Sequence, residues 1–249
     1  MSYKICDCGF DCGREMKKSL AIILMLAISP LYAAPAFVQS TSCDGCTSLA
    51  YASNVTAASM LAVAFRCGGI DETPVFTDTL LNSYSEAIKN FNSDSAVSIS
   101  YALNTSGGAN TVAAAGCVAG SKRWFILEYS GVATASALDQ TNGASGSGVN
   151  ATSGNITPTT DGELILGAAH SNNQTDLSAD SPFTGRTASL KIAAEDYIQP
   201  TAAAIQAAFS QTSDGWGCVV ATFKAAGGGG GGGAVAPQNR ILMQPIFFR

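Results

Sequence analysis

Ionisable side chains are the scarcest material in this 249-residue sequence. Charged residues make up 12%, about half the usual share of ~25%. The chain holds one histidine, His170, which excludes metalloenzyme sites built from several imidazoles. Lys and Arg number 13 against 18 Asp and Glu, for a net charge of −5, so the basic patch that nucleic-acid binding requires is missing. What is abundant is Gly, Ser, Thr, Asn and Ala, a polar but weakly charged surface. Apolar residues at 47%, regularly spaced and with modest net charge, argue against intrinsic disorder. They are enough to bury the core of one large all-β domain.

The N-terminus reads as an export leader. Met16-Lys17-Lys18 is basic, Leu20 to Ile28 is apolar, and Pro30-Leu31-Tyr32-Ala33-Ala34 ends in small residues, the order recognised by signal peptidase. Cleavage after Ala33 or Ala34 is expected, with the true start at Met16 explaining the unusual extension that holds Cys6, Cys8 and Cys12. The apolar run is broken by Pro30 and falls short of the about 20 residues of a spanning helix. No membrane span is therefore expected in the mature chain, and localisation is expected to be secreted or cell-surface.

Export sets the reading of the cysteines. The mature portion holds Cys43, Cys46, Cys67, Cys117 and Cys218, an odd number in a compartment that permits disulfides. Cys43-Asp44-Gly45-Cys46 lies between two extended segments rather than at a helix start, which favours a local clip over redox chemistry. One bridge is expected among Cys67, Cys117 and Cys218, leaving one thiol over; spacing leaves the connectivity open.

The pattern is that of short strands. In Ser95 to Gly131, Val97, Ile99, Tyr101 and Leu103 alternate with Ser98, Ser100 and Ala102, predicting a half-buried strand. Thr111 to Ala115 and Arg123 to Ser130 follow after small-residue turns, and the three are expected to form one antiparallel unit. Met60 to Arg66 is a continuous apolar run suited to the centre of a sheet. Ala36 to Thr41, Ser48 to Ala52, Tyr84 to Phe91, Glu163 to His170, two pieces in Phe183 to Asp196, and Cys218 to Phe223 complete the list. Gly131 to Gly154 is expected to be a surface crossing with one short strand. Thr201 to Phe209 has helical and extended readings of nearly equal merit.

No catalytic, cofactor or metal constellation stands out. His170 reads as a surface or strand-end histidine. Glu128, Asp139, Glu163, Glu195 and Asp196 include enough acids for a glycosidase pair, but beside turns they are better read as acceptors that fix loops. Trp124, Tyr129 and Trp216 are candidate sugar-stacking aromatics, of which two lie in apolar strand patterns and read as core. A calcium loop at Asp71, Glu72 and Asp78 is weighed and set aside, because the spacing matches no EF-hand and solvated carboxylates need no ligand. Asn54, Asn104, Asn150, Asn155 and Asn173 open Asn-x-Ser/Thr sequons, which carry weight only where the source glycosylates.

The chain changes character after Ala226. Seven glycines, Gly227 to Gly233, lead through Ala234–Asn239 into RILMQPIFFR. Glycine runs are flexible and specify no fold. Ile241, Leu242, Met243, Ile246, Phe247 and Phe248 make segment 240–249 too apolar for a free tail and too short for a membrane anchor. It is expected to add a strand, to its own sheet or to a neighbour's.

In order, AFVQS, SNVTAASMLAVAF, YALNTSGGANTV, ILEYSGVATASALDQT, SGNITPTTDGELILGA, FTGR, EDY and GWGCVVATFKAAG resemble an uncharacterised β-sandwich domain family of secreted bacterial and virus-associated surface proteins. The resemblance covers about residues 35–226. Its most specific parts are Glu128 to Ala133 with Leu138-Asp139, Gly162 to Leu164, Glu195-Asp196 and Trp216. It implies an extended rather than helical 201–209 stretch and a surface location, and it carries no activity to any residue. The Cys43/Cys46 pair, Cys117 and the apolar tail depart from it.

The expected fold is thus an all-β antiparallel sandwich, jelly-roll-like. It comprises a leader (1–34), a sandwich domain (35–226), a linker (227–239) and a terminal strand (240–249). The expected function is a non-catalytic structural protein of an extracellular surface assembly, homo-oligomeric through the C-terminal segment. A carbohydrate-binding or adhesion module, with a surface glycan as partner, is the second reading.

Overall fold

A computed structural model describes residues 33–68, 72–92, 95–117, 122–186 and 190–227. Residues 1–32 of the expected leader, Asp71 and segment 240–249 lie outside the described residues, and with them the six apolar tail residues, whereas Ala33 and Ala34 at the expected cleavage site are described. What is described is all-β and antiparallel, in three packed sheets. The middle sheet has the order β1 (Ala36–Asp44), β8 (Lys122–Ser130), β3 (Met60–Gly68), β6 (Ser95–Ala102), β5 (Ser85–Phe91). A small sheet, β2 (Ser48–Ala50), β7 (Thr111–Ala115) and β4 (Val75–Asp78), covers one face of it. The second half of the chain forms the other large sheet. Its order is β11 (Ser178–Ala179), β14 (Ala208–Phe223), β10 (Glu163–Ser171), β13 (Ile192–Gln199), β12 (Thr184–Gly185), with β9 (Leu138–Thr152) also on β14.

The continuous apolar run of β3 follows from this layering. Met60, Ala62 and Ala64 point toward Leu164, Leu166 and Val219 of the facing sheet. Leu61, Val63, Phe65 and Cys67 point the other way, into a core with Phe76, Val112 and Trp124. A strand buried on both faces has no polar side to alternate with. The same layering corrects the half-buried reading of β6: Ser98 and Ser100, expected in water, are fully buried under the small sheet. The three segments of 95–131 are not one unit either. β7 belongs to the small sheet, and β3 separates β6 from β8.

The largest departure is at Gly131 to Gly154, where the expected crossing contains a 15-residue strand, β9, paired with β14 from Leu138 opposite Phe223 to Thr152 opposite Ala208. Large apolar residues mark a strand in sequence, but β9 is held by small ones. A Cβ on Gly146 would meet the Trp216 ring at 2.8 Å, so the indole itself occupies the missing side chain's volume. β14 likewise begins ten residues before the expected Cys218. Residues 201–207 are non-helical, with Ile205 bridged to Ile156, in line with the extended reading. Ala207 and Phe209 enter a third core on the outer face of the large sheet, with Ile165, Leu177 and Val220.

Both described ends of the domain meet at Gly131. Its φ is 71°, and a Cβ there would overlap the Ala34 carbonyl. Its own carbonyl accepts from the Ala226 amide at 2.8 Å. The stretch entering β1 and the stretch leaving toward the glycines thus share one end of the sandwich.

Candidate functional site

Each of the five acids singled out in the sequence holds a structural contact, and three lie on different faces of the sheets. Glu128, fully buried on β8, accepts from the Thr56 amide at 2.7 Å, the Ser59 hydroxyl at 2.8 Å and the Gln39 side chain at 2.7 Å. It pins the loop before β3 to the edge strand β1. Asp196, on β13, faces the middle sheet. It takes the Tyr129 hydroxyl at 2.7 Å and both arms of Arg186, at 2.6 and 2.7 Å. The Arg186 guanidinium also stacks 3.9 Å over the Phe37 ring, so this junction ties β1, β8 and β13 together.

Glu195 points to the opposite face. One oxygen accepts from the Ala208 amide at 2.9 Å, and the other is buried without a hydrogen bond. Burial pushes its pKa up to about 9, with Asp180 and Asp196 adding to the rise. Beside it the free Cys218 is fully buried, and burial with the nearby Glu195 pushes that thiol up. A raised thiol in an apolar wall is inert packing rather than a nucleophile.

Asp139 and Glu163 are the two acids that the fold brings close enough to act on one another, and Lys224 pairs with Asp139. Lys224 Nζ lies 3.1 Å from Asp139 Oδ1. Asp139 also accepts from the Thr159 amide at 2.7 Å and its hydroxyl at 2.8 Å. Glu163 accepts the Thr160 amide at 3.0 Å and its hydroxyl at 2.8 Å through Oε1. Its Oε2 is buried and completes no hydrogen bond. Burial raises the Glu163 pKa, opposed by the Thr160 and Thr222 hydroxyls and supported by Asp139. Despite burial, the Thr159 and Lys224 donors hold Asp139 below its ordinary value. Lys224 went unnoticed in the sequence; its signal is its place one residue past an apolar strand, in step with Thr222.

His170 corrects the surface reading. It ends β10 as expected, yet its side chain is fully buried between the sheets and lies over Gly217, where a Cβ would come within 2.7 Å of Nε2. Neither ring nitrogen completes a well-formed hydrogen bond, although the backbone of Ser171 and Ser95 acts on the ring. Burial, reinforced by the buried Arg66, lowers its pKa to about 3. It is a neutral core group.

A pH profile follows from His170 and Glu195. His170 is depressed from 6.5 to about 3, so its contribution is complete above pH 6.5 and is lost as pH falls toward 3. Glu195 is raised from 4.5 to about 9, so its contribution is complete below pH 4.5 and is lost as pH rises toward 9. Urea unfolding across pH should therefore show a stability maximum between about 4.5 and 6.5. Glu195→Gln should flatten the alkaline limb alone. A profile that keeps rising to pH 8 would contradict the Glu195 assignment.

Among the cysteines, the structure joins Cys43 to Cys46 and Cys67 to Cys117. The three aromatics considered for a sugar platform are core: Trp124 and Tyr129 are fully buried and Trp216 nearly so. Asp78 is occupied by Asn82, Tyr84 and Asn110, and no group of three or more metal-ligating side chains occurs among the described residues. A shallow pocket of about 170 Å³ lies between β4 and the start of β5, lined by Phe76, Tyr84 and Glu86 among others.

No protein-family model, curated protein or solved structure matches the chain. The functional reading therefore rests on the chemistry of these contacts.

Proposed function

We propose that this protein is a non-catalytic structural unit of an extracellular surface assembly, in which segment 240–249 of one copy adds a strand to the next. The observation that carries this reading is the match between the tail and one sheet edge. The tail's apolar residues run without alternation, a pattern suited to a strand covered on both faces, as in β3 and β8 of the middle sheet. That sheet has two edges. β5 is approached by β9, with Asn90 against Gly143, whereas β1 hydrogen-bonds to β8 alone among the described residues and otherwise meets only the short β2. Val38 on β1 is 41% exposed. An added strand there continues the middle layer, and Pro245 is tolerated because the added strand becomes the new edge.

The two disulfides support an oxidising location. The engagement of all five acids in structural contacts supports a non-catalytic role. Ala226, the residue before the first linker glycine, lies beside the start of its own β1 at Gly131, so pairing within one chain needs no long spacer. Seven glycines favour the neighbour's β1, a head-to-tail contact that does not close on itself.

Deleting residues 234–249 should convert oligomers to monomers in light scattering with the far-UV circular dichroism unchanged. A photo-crosslinking residue in place of Phe247 should join the tail to a β1 peptide of another copy. A full-length protein that is already monomeric overturns the assembly reading. Crosslinks to another strand overturn β1 as the acceptor.

A further inference from the structure

The Asp139–Lys224–Glu163 cluster has a composition and setting beyond what a loop contact requires. The three side chains come from adjacent strands of one sheet. Phe223 of β14 is paired with Leu138 of β9 on one side and Leu164 of β10 on the other, which sets Lys224 between Asp139 and Glu163. The Lys224 backbone is held by the stretch leading into β9, its amide donating to the Ala137 carbonyl at 2.8 Å and its carbonyl accepting from the Ala133 amide at 2.9 Å. The Lys224 side chain, 24% exposed, meets an Asp139 side chain that is 5% exposed, and one oxygen of the fully buried Glu163 carboxyl completes no well-formed hydrogen bond.

We propose that Lys224 and Asp139 condense to an intramolecular amide that covalently ties β14 to β9, with Glu163 relaying the proton. An ion pair in water does not condense, because the amine is protonated and the carboxylate is a poor electrophile. The Thr159 and Lys224 donors favour the Asp139 carboxylate, so the neutral pair is a minor state, and fixed strands hold the reacting groups together for it. Glu163, its pKa raised by burial, passes a proton to Asp139 and recovers one from Nζ, leaving a neutral amine beside a neutral acid.

Nζ then attacks Cγ. The charge that develops on Oδ2 faces the Thr159 amide, 2.7 Å away, a donor already in position. Nζ gives up a second proton, Oδ1 departs as water carrying both, and the product is a secondary amide. Glu163 ends as it began, and no oxidant or reductant is consumed. Thr159 Oγ1, 2.8 Å from Oδ1, orients the departing oxygen.

The location gives the bond a use, which rests on the strand-exchange reading: Lys224 lies three residues before the first linker glycine, Gly227. Any pull on segment 240–249 enters the domain through β14. An amide at Lys224 passes that load to β9 instead of peeling β14 away.

The test is the intact mass of the folded, full-length mature protein after reduction of its disulfides. It should fall below the sequence mass by one water, and proteolysis should yield a branched peptide joining Asp139 to Lys224. Lys224→Arg keeps the ion pair and should retain the full mass. Glu163→Gln should fold with unchanged circular dichroism and form the bond at least ~100-fold more slowly, the scale of a lost proton relay. Full mass in the wild type after prolonged incubation overturns the proposal, as does water lost within a linear peptide. Normal bond formation in Glu163→Gln overturns the relay. Neither result depends on oligomeric state, so this proposal and the assembly reading fail separately.

Discussion

Asp196→Ala should cost the domain about 1 to 3 kcal/mol, the scale of leaving a buried donor without its acceptor, read as a lower urea midpoint with unchanged slope. The loss exceeds one hydrogen bond because two groups are stranded together. Tyr129 is fully buried, and its hydroxyl donates to Asp196. Arg186 loses both short contacts while still lying over Phe37. Burial and the Asp196 charge already raise the Tyr129 pKa far above its ordinary range, so the phenol cannot escape by ionising. Arg186→Met should cost less, since it removes the charge rather than orphaning it. A double-mutant cycle should return a coupling above ~1 kcal/mol. A loss below that for Asp196→Ala would mean that the junction is incidental to the packing of the two sheets.

Replacing Cys67 and Cys117 together with alanine should cost about 4 kcal/mol, the chain-entropy value for releasing a loop of this length; the two cysteines are 50 residues apart. Cys67 ends β3 in the middle sheet, fully buried in the core shared with the small sheet, and Cys117 lies just past β7. The bridge therefore fastens the small sheet to the sheet that it covers. Removing Cys43 and Cys46 should cost much less, because their separation of three residues closes little chain. The comparison is made by urea unfolding of the two double variants under non-reducing conditions. Equal losses would contradict the entropic account and point to local packing around the sulfurs.

Much of the architecture was legible. β3, β8 and β10 announced themselves because long apolar side chains at strand spacing have few alternatives to burial in a sheet. The absence of helix among the described residues was legible from frequent Gly, Ser, Thr and Asn, which interrupt helical periodicity. β9 was not, because its pairing depends on glycines making room for Trp216. His170 was misread because its burial depends on Gly217, far along the chain. The acids were recognisable as loop-fixing groups, but nothing local distinguished Asp139 and Glu163 from Glu128, Glu195 and Asp196.

The sequence by itself determined an all-β chain, the Cys43–Cys46 clip and the apolar character of segment 240–249, since each depends on side chains close together along the chain. Only the tertiary structure decided that the middle sheet is covered on both faces, that β1 hydrogen-bonds to β8 alone among the described residues, and that Lys224 meets Asp139 beside a buried acid. Those facts belong to strand order, which brings residues 139, 163 and 224 side by side through pairings between distant segments. Local patterning gives a strand its two faces, but the neighbours and coverings of those faces are chosen by the packing of the whole chain.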